Sequence, residues 1–389
     1  MEKNILWLAS WYPNKLTPFD GDFIQRHARA VSLFTKLTVI HIKKDEKAVI
    51  TKDVKVVSTS AGNLTEIIVF YHSADFKLGL IGKLLSQLKY TRVYKKILAD
   101  YILKNGRPDI VHVHVAFKAG LQALYLKKNL KLPFIVTEHW TGYYKTAVLN
   151  FYNSSVFFQR YTKKILSQAA LLLPVTHNLG ETINANIATV PFTVVENVAD
   201  TNSFYFKPIQ NKRFRFIHVS SLNYQKNPEA IIRSARRLAD LGFDFELMMI
   251  GWVTKELADL AARLLLLEKY VVFRHPIPYE EVASEMQQSS CLLMFSRVEN
   301  LPCVIIEALC CGLPIVSSDV GGISEVVNES NGILVKSEDE TQLLNAMKKI
   351  VLQYNKYDRA KISQVASAKF SYEAIGKKIY GIYSGKSVH

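Results

Sequence analysis

Two glutamates eight positions apart, Glu299 and Glu307, stand at the start of an apolar segment where a carboxylate needs a reason to be. In Phe295–Val326 (FSRVENLPCVIIEALCCGLPIVSSDVGGISEV) a strand runs out near Ser296, a loop carries Glu299 and Asn300, and Pro302 sits where a first helical residue is favoured. The unpaired backbone N–H groups of Leu301, Cys303 and Val304, with the helix dipole behind them, form an anion site suited to phosphate. The two carboxylates frame it from either side. Glu307 can accept from two vicinal hydroxyls, as a ribose presents, and Glu299 can touch a group carried on the far phosphate. The plainer reading makes Glu299 a helix-start acid and Glu307 a solvated helical residue. For Glu307 that is strained, because Val304, Ile305, Ile306, Ala308 and Leu309 surround it, and a buried carboxylate requires a partner.

The elements that must hold these groups alternate. After residue 213, strands over 214–220, 245–251, 271–274, 291–296, 314–318 and 333–335 are separated by helical patterns over 228–239, 255–267, 280–288, 302–311 and 341–352. Before residue 200, strands are read at 5–9, 37–41, 54–57, 67–71, 110–114, 134–137 and 171–174, with helices at 22–33, 80–103, 120–128 and 154–167. Continuous apolar strands alternating with helices predict parallel sheets covered on both faces. The fold class is therefore α/β, with two Rossmann-like domains facing an interdomain cleft, the expected ligand site. Residues 1–200 and 201–370 are the expected domains, 195–206 the hinge, and 371–389 a closing helical segment.

Composition narrows the class. Of 389 residues, 49% are hydrophobic and 21% charged, ample for two cores. No apolar run is long enough to span a bilayer, and the first residues read as a strand rather than a signal peptide, so cytoplasmic residence is the default expectation. The four cysteines, Cys291, Cys303, Cys310 and Cys311, lack zinc-site spacing and read as buried thiols. Asp20-Gly21-Asp22 spells DxD, a metal–nucleotide pattern. Asp22 reads instead as the cap of a helix beginning at Phe23, so no metal and no cofactor are expected.

The E-x7-E spacing followed by ALCCGLPIVSSDVGGISEVV resembles the signature of family 4 glycosyltransferases, retaining enzymes of the two-Rossmann GT-B fold. That resemblance implies that Glu299 contacts the transferred sugar and Glu307 the nucleotide ribose. FIHVSSLNYQKNPEAII resembles the strand, loop and helix that supply a diphosphate-binding lysine, here Lys226. VENVAD resembles the interdomain hinge, and FSYEAIGKKIYGIY the closing helix that crosses back to the first domain. WYPNKLTPFDGDFIQRHARAV resembles the first loop and helix, where Gly21 would let backbone approach the donor phosphate and acceptor. HVHVAFKAG and FIVTEHWTGYY resemble two further active-site strands, placing His139 beside the transferred sugar. The family pairs its lysine with an arginine five residues earlier, where this chain has Ser221. Arg274, Arg297 or the helix N-terminus must then meet the remaining phosphate charge. The loop 274–279 takes the place of the nucleobase site.

The net charge of +15 is uneven: residues 1–200 hold 26 Lys and Arg against 14 Asp and Glu, and the rest 23 against 20. A basic first half suggests an anionic partner. One candidate surface is the segment 77–104, whose leucines at near-helical spacing alternate with Lys83, Lys89, Arg92, Lys95 and Lys96 and could lie on an anionic membrane. An ordinary core-facing helix with a basic outer face is the alternative. No nucleic-acid recognition motif is present. The resulting expectation is a retaining, metal-independent transfer from a nucleoside-diphosphate sugar, UDP before GDP, to a glycan or lipid-linked acceptor. The rivals are a 2-epimerase on the same fold and a non-catalytic nucleotide-sugar or membrane-binding module.

Overall fold

The computed structural model describes residues 3–73, 79–208 and 213–385, so Lys77 lies outside the described residues. The first sheet contains β1 (Ile5–Ala9), β2 (Leu37–Lys44), β3 (Val54–Ala61), β4 (Leu64–Tyr71), β5 (Ile110–His114), β6 (Phe134–Glu138) and β7 (Leu171–Pro174). Its order is β3-β4-β2-β1-β5-β6-β7, parallel throughout except for the β3–β4 hairpin. Around it lie α1 (Asp22–Ser32), α2 (Gly79–Asn105), α3 (Gly120–Leu130), α4 (Val156–Gln168) and α5 (His177–Asn186). The second sheet, wholly parallel, is built from β8 (Phe214–Val219), β9 (Phe245–Ile250), β10 (Val271–Arg274), β11 (Cys291–Met294), β12 (Ile315–Ser318) and β13 (Gly332–Val335) in the order β10-β9-β8-β11-β12-β13. Its helices are α6 (Pro228–Asp240), α7 (Lys255–Arg263), α8 (Tyr279–Gln287), α9 (Cys303–Cys310), α10 (Glu340–Leu352) and α11 (Arg359–Phe370), and α12 (Tyr372–Tyr383) ends the described chain. The molecule is thus an α/β protein of two Rossmann-like halves.

The central strands are buried along their full length, β1 and β11 at every position. That burial is why they read as unbroken apolar runs rather than alternating ones. Among the parallel strands of each sheet the order reverses between β1 and β5 in the first and between β8 and β11 in the second. The loops leaving those strand pairs diverge to opposite faces and open a crevice at the carboxyl ends, where ligands of such sheets sit.

α12 does not stay with the second sheet. It packs along α1, and a Cβ at Gly376 would lie 2.1 Å from the carbonyl oxygen of Ala30. Its last residue, Tyr383, is buried: the Trp7 indole N–H donates to its hydroxyl at 2.8 Å, and that hydroxyl lies 2.6 Å from Nδ1 of His112. His112 and His114 are both core residues of the first half, His114 lying against the Trp7 ring at 3.9 Å.

Several boundaries differ from the sequence reading. Gly21, at φ 72°, precedes α1, and Asp22 is the first helical residue rather than the cap; its carboxylate accepts from the N–H of Phe23 at 2.8 Å and pairs with Arg26 at 3.1 Å. Pro302 is extended (ψ 128°) and caps α9 instead of opening it. α7 ends early because Leu265 and Glu268 take positive φ. α5 and α11 are additional helices.

Candidate active site

The second crevice is lined by its own two loops. After β8, the Asn223 side chain accepts from the Lys226 N–H and stabilises a single 3₁₀ turn over Tyr224–Lys226. After β11, the Arg297 N–H donates to the Gln225 carbonyl at 2.8 Å, and Gln225 Nε2 donates to the Val298 carbonyl at 2.9 Å. These cross-bonds bring the Lys226 ammonium onto the Glu299 carboxylate as an ion pair. Glu299 is 4% exposed. The turn after β12 presses on it: Gly321 has φ 60°, and a Cβ there would lie 1.9 Å from the Glu299 carbonyl oxygen. Only glycine fits that position.

α9 starts four residues beyond Glu299 with no side-chain cap, so its first N–H groups lack intrahelical partners, and Leu301, Pro302 and Cys303 line the same small pocket as Glu299. Deeper along α9, Glu307 finds the partner its burial requires. The Tyr279 hydroxyl donates to its Oε1 at 2.8 Å, and the Arg26 guanidinium, reaching over from α1, lies 3.6 Å from the same oxygen. Arg26 also stacks over the Tyr279 ring at 5.1 Å. Burial raises the Glu307 pKa above the ordinary carboxylate value, and the Arg26 charge opposes that rise. The neighbouring Cys303 thiol is pushed up to about 12, chiefly by burial, and remains protonated.

The opposite wall comes from the first half. His139 is buried beside Glu299, Asn300, Leu301 and Cys303 in a small pocket, with Phe23 4.6 Å and His27 5.4 Å from its ring. The Asn197 side chain is the nearest polar group to its ring nitrogens, neither of which makes a well-aligned hydrogen bond, and burial holds the ring neutral. The halves are tied by polar contacts around this pocket. Asn300 Nδ2 donates to the His139 carbonyl at 2.8 Å, and its Oδ1 accepts from the Tyr144 hydroxyl at 2.9 Å. Asn197 Nδ2 donates to the Leu301 carbonyl at 2.7 Å, and the Glu325 carboxylate accepts the N–H groups of His177 and Asn178 at the start of α5, each at 2.8 Å.

The structure therefore gathers Lys226, Glu299, Leu301, Cys303, Val304 and His139 at one end of α9, with Glu307 farther in. The Asn300 side chain joins the two halves. Arg274 pairs with Glu285 and Glu281 on α8. Arg297 is engaged by Glu338 and lies 4.0 Å over the Tyr224 ring. At Gly21 the group a Cβ would strike is the Trp11 backbone, at 2.7 Å. Arg26, Tyr279, Gly321 and Glu325 went unread. The Gly321-Gly322 pair was a visible signal, whereas Arg26 becomes a site residue only because the other half lies over it.

The first crevice is different: it is an open cleft of about 790 Å³. Ser10, Trp11, His41, Lys43, Lys118 and Trp140 are among its walls. Trp140 in its wall is the sequence neighbour of His139 in the Glu299 pocket. Among the described residues no cluster of three or more His, Cys, Asp or Glu is disposed to hold a metal ion.

Two family models match in tandem: residues 53–203 match Glycosyltransferase Family 4, and residues 200–364 match Glycosyl transferases group 1. TuaC of Bacillus subtilis, whose name places it in teichuronic acid biosynthesis, is 21% identical over 99% of this chain and 97% of its own. The N-acetyl-alpha-D-glucosaminyl L-malate synthase of Bacillus anthracis is 23% identical over 66% of this chain and 69% of its own. Among solved structures, sucrose-phosphate synthase from Thermosynechococcus elongatus superimposes with a TM-score of 0.78 at 17% identity, covering 98% of this chain and 99% of that one. Anabaena HepE in complex with UDP gives 0.72 at 17% identity, covering 99% and 100%. With both halves matched and the fold shared from end to end, the chain belongs to the family 4, group 1 glycosyltransferases of the GT-B fold.

Proposed function

We propose that this glycosyltransferase moves a sugar from a nucleoside-diphosphate sugar, uridine ahead of guanosine, to a hydroxyl of a glycan or lipid-linked acceptor with retention of anomeric configuration. The observation that carries the reading is the Lys226–Glu299 pair set at the open N-terminus of α9, with Glu307 inside the same helix. In this reading the donor diphosphate lies on the α9 N–H groups and draws the Lys226 ammonium away from Glu299. Glu299 is then free to accept from the hydroxyls of the transferred sugar, and Glu307 from those of the ribose. The leaving group is stabilised by charges already in place, inside a site that excludes water. His139, neutral and beside Asn197, lines the sugar pocket. The UDP held by the Anabaena neighbour supports uridine.

A peripheral membrane position is part of the same proposal. No helix among the described residues is long and apolar enough to cross a membrane, yet the first turns of α2 expose Ile81, Leu84, Leu85 and Leu88 beside Lys83. Farther along, Tyr90, Tyr94, Ile97 and Leu98 turn into the core. An apolar ridge with flanking cations suits an anionic bilayer surface.

The test has two stages. Thermal shift with UDP, GDP, ADP and CMP should raise the melting temperature for a nucleoside diphosphate, since a ligand of the folded state stabilises it. Glu299→Gln should then lower turnover about 10²-fold with nucleotide affinity nearly unchanged. Absence of any nucleotide shift, or full turnover in Glu299→Gln, sinks the proposal.

A further inference from the structure

The open cleft of the first half carries more chemistry than a neutral sugar needs. At the carboxyl end of β2, Lys43 and Lys44 enter its wall, and Lys118, from the loop after β5, faces them. Lys43 is held by Asp20 at 3.0 Å. Lys118 lies 5.9 Å from the Tyr90 ring centre and makes no ion pair with a carboxylate among the described residues. Burial, with Lys44 and Lys43 close by, holds the Lys118 pKa below the ordinary lysine value, and the Glu46 carboxylate in the same lining opposes that shift without reaching ion-pair distance. Two of the acids in the same lining are already committed. Asp45 accepts the N–H groups of Val49, Ile50 and Thr51, and Glu138 accepts from Ala116 and Tyr143.

Beside the lysines sits an independent sign of a ligand. His41 is 1% exposed and lines the cleft. Its Nδ1–H donates to the Ala9 carbonyl at 3.0 Å, and its Nε2 has no partner. The ring is kept neutral by burial, its pKa lowered to about 4, so Nε2 is a pure acceptor. An acceptor atom suits a hydroxyl and repels a phosphate oxygen. Trp11 and Trp140 supply flat apolar walls.

We infer that this cleft binds an acidic acceptor sugar: His41 Nε2 takes a sugar hydroxyl while Lys118, with Lys43 and Lys44, holds a phosphate or carboxylate attached to the same sugar. The inference rests on the glycosyltransferase reading above and names the class of its acceptor. A phosphate linking the sugar to a lipid and the carboxylate of a uronic acid share this chemistry.

Equilibrium binding followed through tryptophan fluorescence tests it, using glucose, glucose 1-phosphate, glucuronic acid, inorganic phosphate and octyl phosphate as probes. Glucose 1-phosphate, glucuronic acid or both should bind at least about tenfold more tightly than glucose and than inorganic phosphate. The preference should vanish in Lys118→Met, return in Lys118→Arg, and weaken in His41→Phe, with each variant's melting curve showing that it folds. Phosphate preference points to a carrier-linked acceptor, carboxylate preference to a uronic acid. Tighter binding of octyl phosphate than of either sugar would mean a lipid headgroup site and overturn the inference. So would equal binding of glucose, a preference that survives Lys118→Met, or displacement of glucose 1-phosphate by UDP. UDP binding by the unaltered protein is scored separately: its absence removes the donor reading while the acidic-sugar arms still report on the cleft.

Discussion

The two crevices are built alike and filled differently. Each opens where its sheet reverses strand order, yet the second is small and holds the Lys226–Glu299 ion pair, while the first is a large cleft with an unpartnered imidazole nitrogen and a lysine in no ion pair among the described residues. A cation and carboxylate kept paired are separated only by a ligand that competes for one of them. Under the proposed function, the second crevice is thus held in reserve by its own ion pair, whereas the first meets an acidic sugar with groups already in place.

The largest effect that would sharpen this contrast is expected at Lys226. Lys226→Ala should lower turnover about 10³-fold by removing the charge that stabilises the leaving diphosphate. Steady-state kinetics with saturating donor check it, and a loss below tenfold would equate the two crevices. Next is the contact that joins the halves. Arg26→Gln strands the buried Glu307 carboxylate and should cost about 3 kcal/mol of stability. Arg26→Gln with Glu307→Gln should recover most of that loss, as read by urea denaturation. Additive losses would show that the two residues do not interact.

Acid should act on both halves. His41 in the first and His218 in the second are buried, with pKa values lowered from 6.5 to about 4. Below pH 6.5 the unfolded chain binds protons that the folded histidines refuse. Stability is therefore full above pH 6.5 and falls toward pH 4, by up to about 1.4 kcal/mol per pH unit for each histidine. Denaturation midpoints between pH 7.5 and 4.5 measure the slope, and His41→Asn should reduce it. A flat profile would mean that these rings titrate normally. The smallest effect is expected at α2. Leu84→Asp with Leu88→Asp should weaken sedimentation with phosphatidylglycerol vesicles several-fold, with no change for neutral vesicles.

Legibility in the sequence followed the same divide. The donor wall is local: a strand end, Glu299, the α9 start and Glu307 lie within one short stretch, and apolar neighbours flagged Glu307 as a buried acid needing a partner. Which partner could not be read. Tyr279 looked like a loop residue, and Arg26 was one of several charges on an amphipathic α1 whose burial depends on the opposite half. The cleft of the first half draws on the ends of β1, β2, β5 and β6, distant in sequence, so no window contained it. α5 was missed because HNLGETINAN is polar, with Gly180 inside it, and α11 because RAKISQVASAKF buries little beyond Ile362, Ala366 and Phe370. The Thr176 and Asp358 caps were the available signals. The pairing of Arg274 with Glu281 and Glu285 could not be read either, because those acids lie one helix away.

The bond from Trp7 to Tyr383 sets an order of events during synthesis. The first strand leaves the ribosome early, but the hydroxyl that satisfies its buried indole, and the helix that covers the apolar face of α1, come 376 residues later in the chain. The first half cannot finish its core as a free-standing nascent domain; it waits, with the Trp7 indole N–H unpaired and one face of α1 uncovered, until α12 has emerged. Removing α12 should therefore loosen the domain that was made first, and leave the one made later intact.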